Sequence, residues 1–496
     1  MSSSVVALAV ISTIVAVGSI VGFLAGSHRK MDLEQWSVGG RGFGTLLVWL
    51  LMAGEIYTTF TFLGASGWVY SRGAPVLYIL GYDTLAYVIS FYILPELWEV
   101  GRRYRLQTQA DFFQVRYNSK YLTAFVAVVG VIFIVPYLEL QITGLGIIVE
   151  VASFGAIHRT TAMVISFAIV AGFVFTSGIR AVAWVSVLKD ILLLFAAVCV
   201  GIAVPYIYFG GIGPMFAAVA LAKPSHLVMP GATTNLGHAW YASTVLLCAF
   251  GFYMWPQFFG ACFTAKSGDA LRRNAIVMPL YLITMPLMLF VGLAALLVLP
   301  GLANGDLSML LIVRKTFPPW FLGVIGGAGA LTAMVPAATL VLTAATLFAK
   351  NLCRQILEPG MTDRQVGKLA KVTVLAITGA ALGFAVFNST TLVGLLLMGY
   401  AGVAQFFPGV VLGLYSKRAT LPGVFAGMVT GILIAVLLMF TKHDPIMGLN
   451  AGFLALCFNF AVTGIVSLLT SKGNRGFATT LMSSPALQPS VNQELT

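Results

Sequence analysis

Apolar residues in this chain neither alternate nor recur on a single helical stripe. They come in unbroken runs of about 20, separated by short stretches that collect the glycines, prolines and charges. A hydrocarbon core about 30 Å thick is crossed by a helix of about 20 apolar residues, so each run predicts one spanning helix. Thirteen are predicted, numbered helix 1 to helix 13 in order: 5–26, 44–64, 75–98, 121–151, 160–177, 186–206, 240–263, 275–299, 320–350, 371–388, 391–414, 420–441 and 449–470. A transmembrane barrel would instead show alternating segments of about ten residues. No polar stretch between the runs is long enough for a soluble domain. Residues 1–471 therefore read as a single all-α polytopic membrane domain, and 472–496, rich in Ser, Pro, Gln and Asn, as a disordered tail. The first run follows an uncharged MSSS with no small-residue cleavage site, which predicts a retained helix and not a signal peptide.

Composition narrows the class. Of 496 residues, 59% are hydrophobic and only 9% charged, against about 25% charged in a soluble domain. That excludes a cytosolic enzyme, a disordered chain and a nucleic-acid binder as leading readings. The net charge of +12 is explained by its placement. With the N-terminus outside and the C-terminus cytoplasmic, 22 of the 28 Lys and Arg fall on the cytoplasmic side, as the positive-inside bias requires. Lys189 is counted there, and Asp190 beside it reads as half of a helix-end ion pair. The five cysteines are scattered without a CxxC pair and the five histidines do not join them, so neither a disulfide framework nor a metal centre is expected. There is no HExxH, no GxSxG in a strand–turn–helix setting and no repeated filter motif. The expectation is a transporter and not an enzyme, with a channel as a distant alternative and no cofactor.

Buried acids are the informative exceptions, because a charge at a helix centre costs about 2.5–3.5 kcal/mol on insertion scales. Glu55 lies in MAGEIYTTFTFLGASG, between Gly54 and the hydroxyls of Tyr57, Thr58, Thr59 and Thr61. Gly and Thr weaken a helix, and hydroxyls can satisfy backbone groups freed by unwinding. This favours a discontinuous helix 2 lining a mid-membrane site over a plain polar packing face. Helix 7 carries GFYMWPQFF, where Pro256 removes a backbone donor between Tyr253, Trp255 and Gln257. Two interrupted helices, five apart, are the sequence pointer to a transporter binding site. Glu139 and Gln141 on helix 4 serve either site lining or structural hydrogen bonds. Asp83 is either a proton carrier or a satisfied structural acid. Gly423, Gly427 and Gly431, spaced by four, predict close helix packing.

Five ordered segments resemble the sodium/solute symporter family over nearly the whole chain: WSVGGRGFG (36–44), TFLGASG (61–67), SGIRAVAWVSVLKD (177–190), TAATLFAKNL (343–352) and FPGVVLGLYSKRATLPGVFAGMVTG (407–431). MAGEIYTTFTFLGASGW and GFYMWPQFF resemble its monocarboxylate (lactate and pyruvate) permease branch. The resemblance implies a five-plus-five inverted-repeat core of about residues 44–414 (helices 2–6 and 7–11), alternating access, and a place in the plasma (inner) membrane. It implies an organic-anion substrate carried by cation symport, with an amino acid such as proline, pantothenate or acetate as alternatives. Sodium would be held by carbonyls at Ala53 or Gly54 and at Ile56 or Tyr57, and by hydroxyls on helix 9. Those hydroxyl positions fall on Val335 and Pro336, with Thr332 nearby, and the usual Thr-Asp of the third segment's motif reads Val185-Ser186. The coupling ion is thus Na+ or H+, with Glu55, Glu139 and Asp83 as candidate proton carriers. The substrate would be met by half-helix N-termini and by Tyr57, Thr58, Thr59, Gln141, Tyr253, Trp255 and Gln257.

Overall fold

The computed structural model describes residues 2–26, 33–176, 179–230, 235–387 and 390–471. The expected tail, 472–496, lies outside them. All the long elements are helices. Ten are continuous spans: α1 (Ser3–Ala25), α3 (Ala74–Tyr104), α4 (Lys120–Ala152), α6 (Ile179–Phe209), α8 (Gly268–Val298), α9 (Pro319–Leu357), α10 (Asp363–Phe387), α11 (Leu392–Tyr415), α12 (Leu421–Phe440) and α13 (Ala451–Thr470). Two more are bent pairs: α2 (Thr45–Ile56 with Phe60–Arg72, 54°) and α7 (His238–Met254 with Pro256–Cys262, 53°). The shorter α5 (Arg159–Thr176) completes the thirteen predicted runs.

Enclosure orders these helices. The spanning window of α9 is 89% buried, whereas that of α1 is 22% buried. α9 is thus an interior helix and α1 a peripheral one, facing what would be lipid. The glycine series behaves as predicted: Gly423 and Gly427 of α12 abut Ser467, Thr463 and Asn459 of α13, and Gly431 abuts Gln405, leaving no room for side chains.

One boundary differs from the prediction in a way that matters. Helix 6 was expected to begin at 186, but α6 begins at Ile179. Lys189 and Asp190 therefore sit well inside a helix, with side chains 0% and 2% exposed. They are a buried ion pair, not a helix-end one, and Lys189 does not belong to the basic face. Hydropathy assigns charges to the ends of apolar runs because it cannot see a partner that neutralises them.

Between spans, the short helix Gln109–Tyr117 closes the end of the bundle that carries most of the basic residues. Thr108 and Asp111 form a reciprocal capping box at its start. At the opposite end, the turn Gly305–Leu307 and helix Ser308–Thr316 fill the α8–α9 connection.

Candidate functional site

The two bends arise from different chemistry. In α2 no proline is present. Tyr57 takes an extended conformation (φ −88°, ψ 92°), and its N–H still reaches Ala53 O at 2.9 Å. The groups freed by the break are satisfied from outside the helix: Lys189 Nζ donates to Gly54 O at 3.2 Å and Tyr137 OH to Glu55 O at 3.4 Å. Within the break, Thr58 Oγ1 accepts from Phe60 N at 3.2 Å. Gly54 is required sterically, since a Cβ there would lie 2.5 Å from Ser186 Oγ. In α7, Trp255 turns out of the helix (ψ 127°) and Pro256 starts the second half, where a missing N–H costs nothing. Gln109 Nε2 donates to the freed Met254 O at 2.8 Å.

The predicted site residues divide into four groups. Thr59 and Gln141 are brought together, Thr59 Oγ1 donating to Gln141 Oε1 at 2.6 Å, while Gln141 Nε2 is buried with no protein partner. Tyr57 points away from them, its OH 2.8 Å from Tyr87 OH and its ring centroid 4.4 Å from that of Tyr281. Trp255 packs between Tyr137, tilted at 4.8 Å, and Tyr400, edge-on at 5.4 Å, and Tyr253 packs on Phe252 at 5.0 Å. Gln257 lies apart, in a cavity toward the basic end lined also by Ser37, Thr108, Thr339 and Thr343. Neither polar atom of its amide has a protein partner.

A second cavity lies between the breaks, lined by Ile56, Phe60, Tyr82, Asp83, Tyr137, Phe252 and Tyr400 among others. Its space for water centres is about 10 Å³, room for about one water. Asp83 lines it with both carboxylate oxygens unpaired, and Glu55 is likewise buried with both oxygens unpaired. Glu139 is buried on α4.

Of the expected cation-site groups, the Ala53, Gly54 and Ile56 backbone lies at the α2 break. Val335 does face it, its Cγ1 3.6 Å from where a Gly54 Cβ would stand. Thr332 Oγ1 donates to Ala328 O of its own helix at 2.7 Å. Pro336 O accepts from Thr339 Oγ1 at 3.0 Å. The residue that sequence reasoning missed is Lys189, which reaches the break directly. Its signal was present as a Lys-Asp pair in an otherwise apolar stretch.

The two ends of the bundle are tied by acids. At the basic end Asp111 accepts from Lys350 Nζ (2.7 Å), Asn351 Nδ2 (2.8 Å) and Gln107 N (2.8 Å). Burial alone would raise its pKa, but the Lys350 ammonium and these donors hold it below the usual carboxylate value. At the other end Asp306 abuts Gly67 of α2 and accepts from Leu392 N of α11 at 3.2 Å. Burial pushes its pKa up to about 6, against the Leu392 bond and the charge of Arg159.

Two bent spans five helices apart, flanking a cavity, are the arrangement of a multi-pass secondary transporter of the five-plus-five inverted-repeat kind. The Sodium:solute symporter family model matches residues 36–431. The chain is 42% identical over 485 residues to the uncharacterized symporter YhjB of Bacillus subtilis, covering 95% of this chain and 99% of that protein. It belongs to the sodium:solute symporter family. It is also 29% identical over 481 residues to the monocarboxylate transport permease protein of Rhizobium johnstonii, covering 93% of this chain and 96% of that one. Among solved structures, a Na+-coupled sialic acid symporter in a substrate-bound outward-open state shares its fold, with TM-score 0.79 at 17% identity over 94% of this chain and 97% of that one.

Proposed function

We propose that this symporter imports a small monocarboxylate across the plasma (inner) membrane by alternating access, with one cation, Na+ or H+, moving alongside. The N-terminus lies outside and the C-terminus inside, the orientation supported by the distribution of Lys and Arg. The observation that carries the substrate class is the pairing at the α2 break. The N-terminal end of Phe60–Arg72 stands beside Gln141, whose Nε2 is buried and without a protein partner. Together they offer a helix-end partial charge and an amide donor to a carboxylate. The monocarboxylate permease relative supports the same class. Thr58 and Thr59 shape this end, Trp255 and Tyr253 form the aromatic wall, and Gln257 meets the solute on its way to the basic end. Glu55, Glu139 and Asp83 are the acids available to a co-transported proton.

Asp83 favours one alternative. A carboxylate among Tyr82, Tyr137, Phe252 and Tyr400 is a setting that also suits an ammonium group, hence an amino acid. Binding of labelled pyruvate to purified protein, competed by lactate or by proline, separates the two. Competition by lactate that survives Asp83→Asn upholds the monocarboxylate. Competition by proline that Asp83→Asn abolishes overturns it.

A further inference from the structure

The Gly54 and Glu55 carbonyls, near the end of the half-helix Thr45–Ile56, carry the negative end of its dipole and are met by side chains of other helices. Such broken-helix ends are where transporters seat a coupling cation. Here a side chain of the protein already stands there. Lys189 Nζ donates to Gly54 O at 3.2 Å and to Asp190 Oδ1 at 3.0 Å, and lies 6.0 Å from the ring centroid of Tyr281. The lysine side chain is wholly buried. From α9 the break is faced by Val335, an alkyl group that ligates no cation.

The groups around the amine are few. Glu55 of α2 is within its electrostatic reach. Asp190 accepts from Tyr281 OH of α8 at 3.1 Å through the same Oδ1 that meets the lysine, and its Oδ2 has no protein partner. The Tyr57 ring of α2 packs on Tyr281. α1, packed along α6, carries no charged residue between Ser3 and Ala25.

We infer that the Lys189 ammonium is the cation of this site, a tethered ion in place of a free sodium, and that its proton is the coupled species. Charged, the amine holds Gly54 O and ties α2 to α6. When the site opens to the inside, one N–H bond breaks, its electron pair stays on nitrogen, and the proton leaves to cytoplasmic water. The neutral amine then releases the carbonyl. Opening to the outside returns a proton from external water. One proton and one carboxylate enter per cycle, so the transport is electroneutral. The cargo rests on the monocarboxylate reading; the identity of the cation does not.

Two experiments test this. Equilibrium binding of 22Na+ to the purified wild-type protein needs no solute, and no saturable sodium binding is expected; saturable binding overturns the inference. Uptake of labelled pyruvate into proteoliposomes should be driven by an inward proton gradient without sodium and should be indifferent to an imposed membrane potential. Lys189→Arg, which keeps the charge but not the exchangeable proton, and Lys189→Met should both lose proton-driven accumulation and the pH dependence of uptake. Retention of both by Lys189→Arg means a merely structural cation and overturns the proposal. Should the variants fail to fold, wild-type sodium binding still decides it. If pyruvate moves under no gradient, the solute assignment fails, and the sodium measurement stands independently.

Discussion

The breaks in α2 and α7 bend their helices almost equally, 54° and 53°, by opposite means. In α7 the covalent chain makes the break: Pro256 forbids a hydrogen bond, and one amide from Gln109 covers the freed carbonyl. In α2 every residue could continue a helix, and the break exists because partners on other helices take its backbone groups: Lys189 from α6 and Tyr137 from α4. A break written in the backbone is fixed. One held by side chains can be released when a side chain changes state. That difference is why the proposed coupling is assigned to α2 and the proposed solute wall to α7.

The comparison can be broken most sharply at the ion pair. Lys189→Met should destabilise the protein by about 3–5 kcal/mol, because Asp190 is left buried and unpaired. Adding Asp190→Leu should recover part of that loss, and thermal unfolding in detergent would read the coupling. The next effect is steric. Gly54→Ala should cost about 1–3 kcal/mol by driving a methyl into Ser186. Gly260→Ala in the second half of α7, where a Cβ meets only Gln107 O at 3.9 Å, should be neutral or gain up to about 1 kcal/mol from helix propensity.

Polar truncation sharpens the same contrast. Thr59→Val leaves Gln141 Oε1 without its donor and should cost about 1–3 kcal/mol. Gln257→Leu, which removes no hydrogen bond within the protein, should leave the unfolding temperature unchanged and raise the apparent KM for the solute.

The smallest effect is a pH response that differs between the acids tied to each break. Asp306 abuts α2 and its folded pKa is raised to about 6, so the folded state binds more protons than the unfolded one as pH falls through that value. Stability should therefore rise by about 1 kcal/mol between pH 7 and 5, and Asp306→Asn should flatten the response. Asp111 caps the helix that positions Gln109 on α7, and its folded pKa is lowered. Its contribution is present above the unfolded carboxylate pKa and is lost only as pH drops through the depressed value. Asp111→Asn should thus change nothing in the pH 5–7 window except a uniform loss.

Much of the fold was legible in the sequence because a bilayer imposes one demand, a run of apolar residues long enough to cross it. All thirteen runs are helices, and Gly54 through Thr61 and Trp255-Pro256 announced both breaks. The site was less legible. Thr332 satisfies itself on Ala328 O, a rotamer choice that spacing cannot foretell. The Tyr57 hydroxyl turns to Tyr87, although its neighbour Thr59 turns to Gln141. Lys189 was misplaced at a helix end because its partners, Gly54 O and Tyr281, lie 135 and 92 positions away in the chain.

By itself the sequence determined that this chain spans a membrane about thirteen times and where two of those spans are interrupted. Those follow from local properties: run length, proline geometry and side-chain chemistry. Only the tertiary structure decided what stands at the interrupted end of α2. A buried ammonium is tolerable here because distant helices bring a carbonyl and a phenol ring to the carboxylate beside it on its own helix, and that convergence is a property of packing.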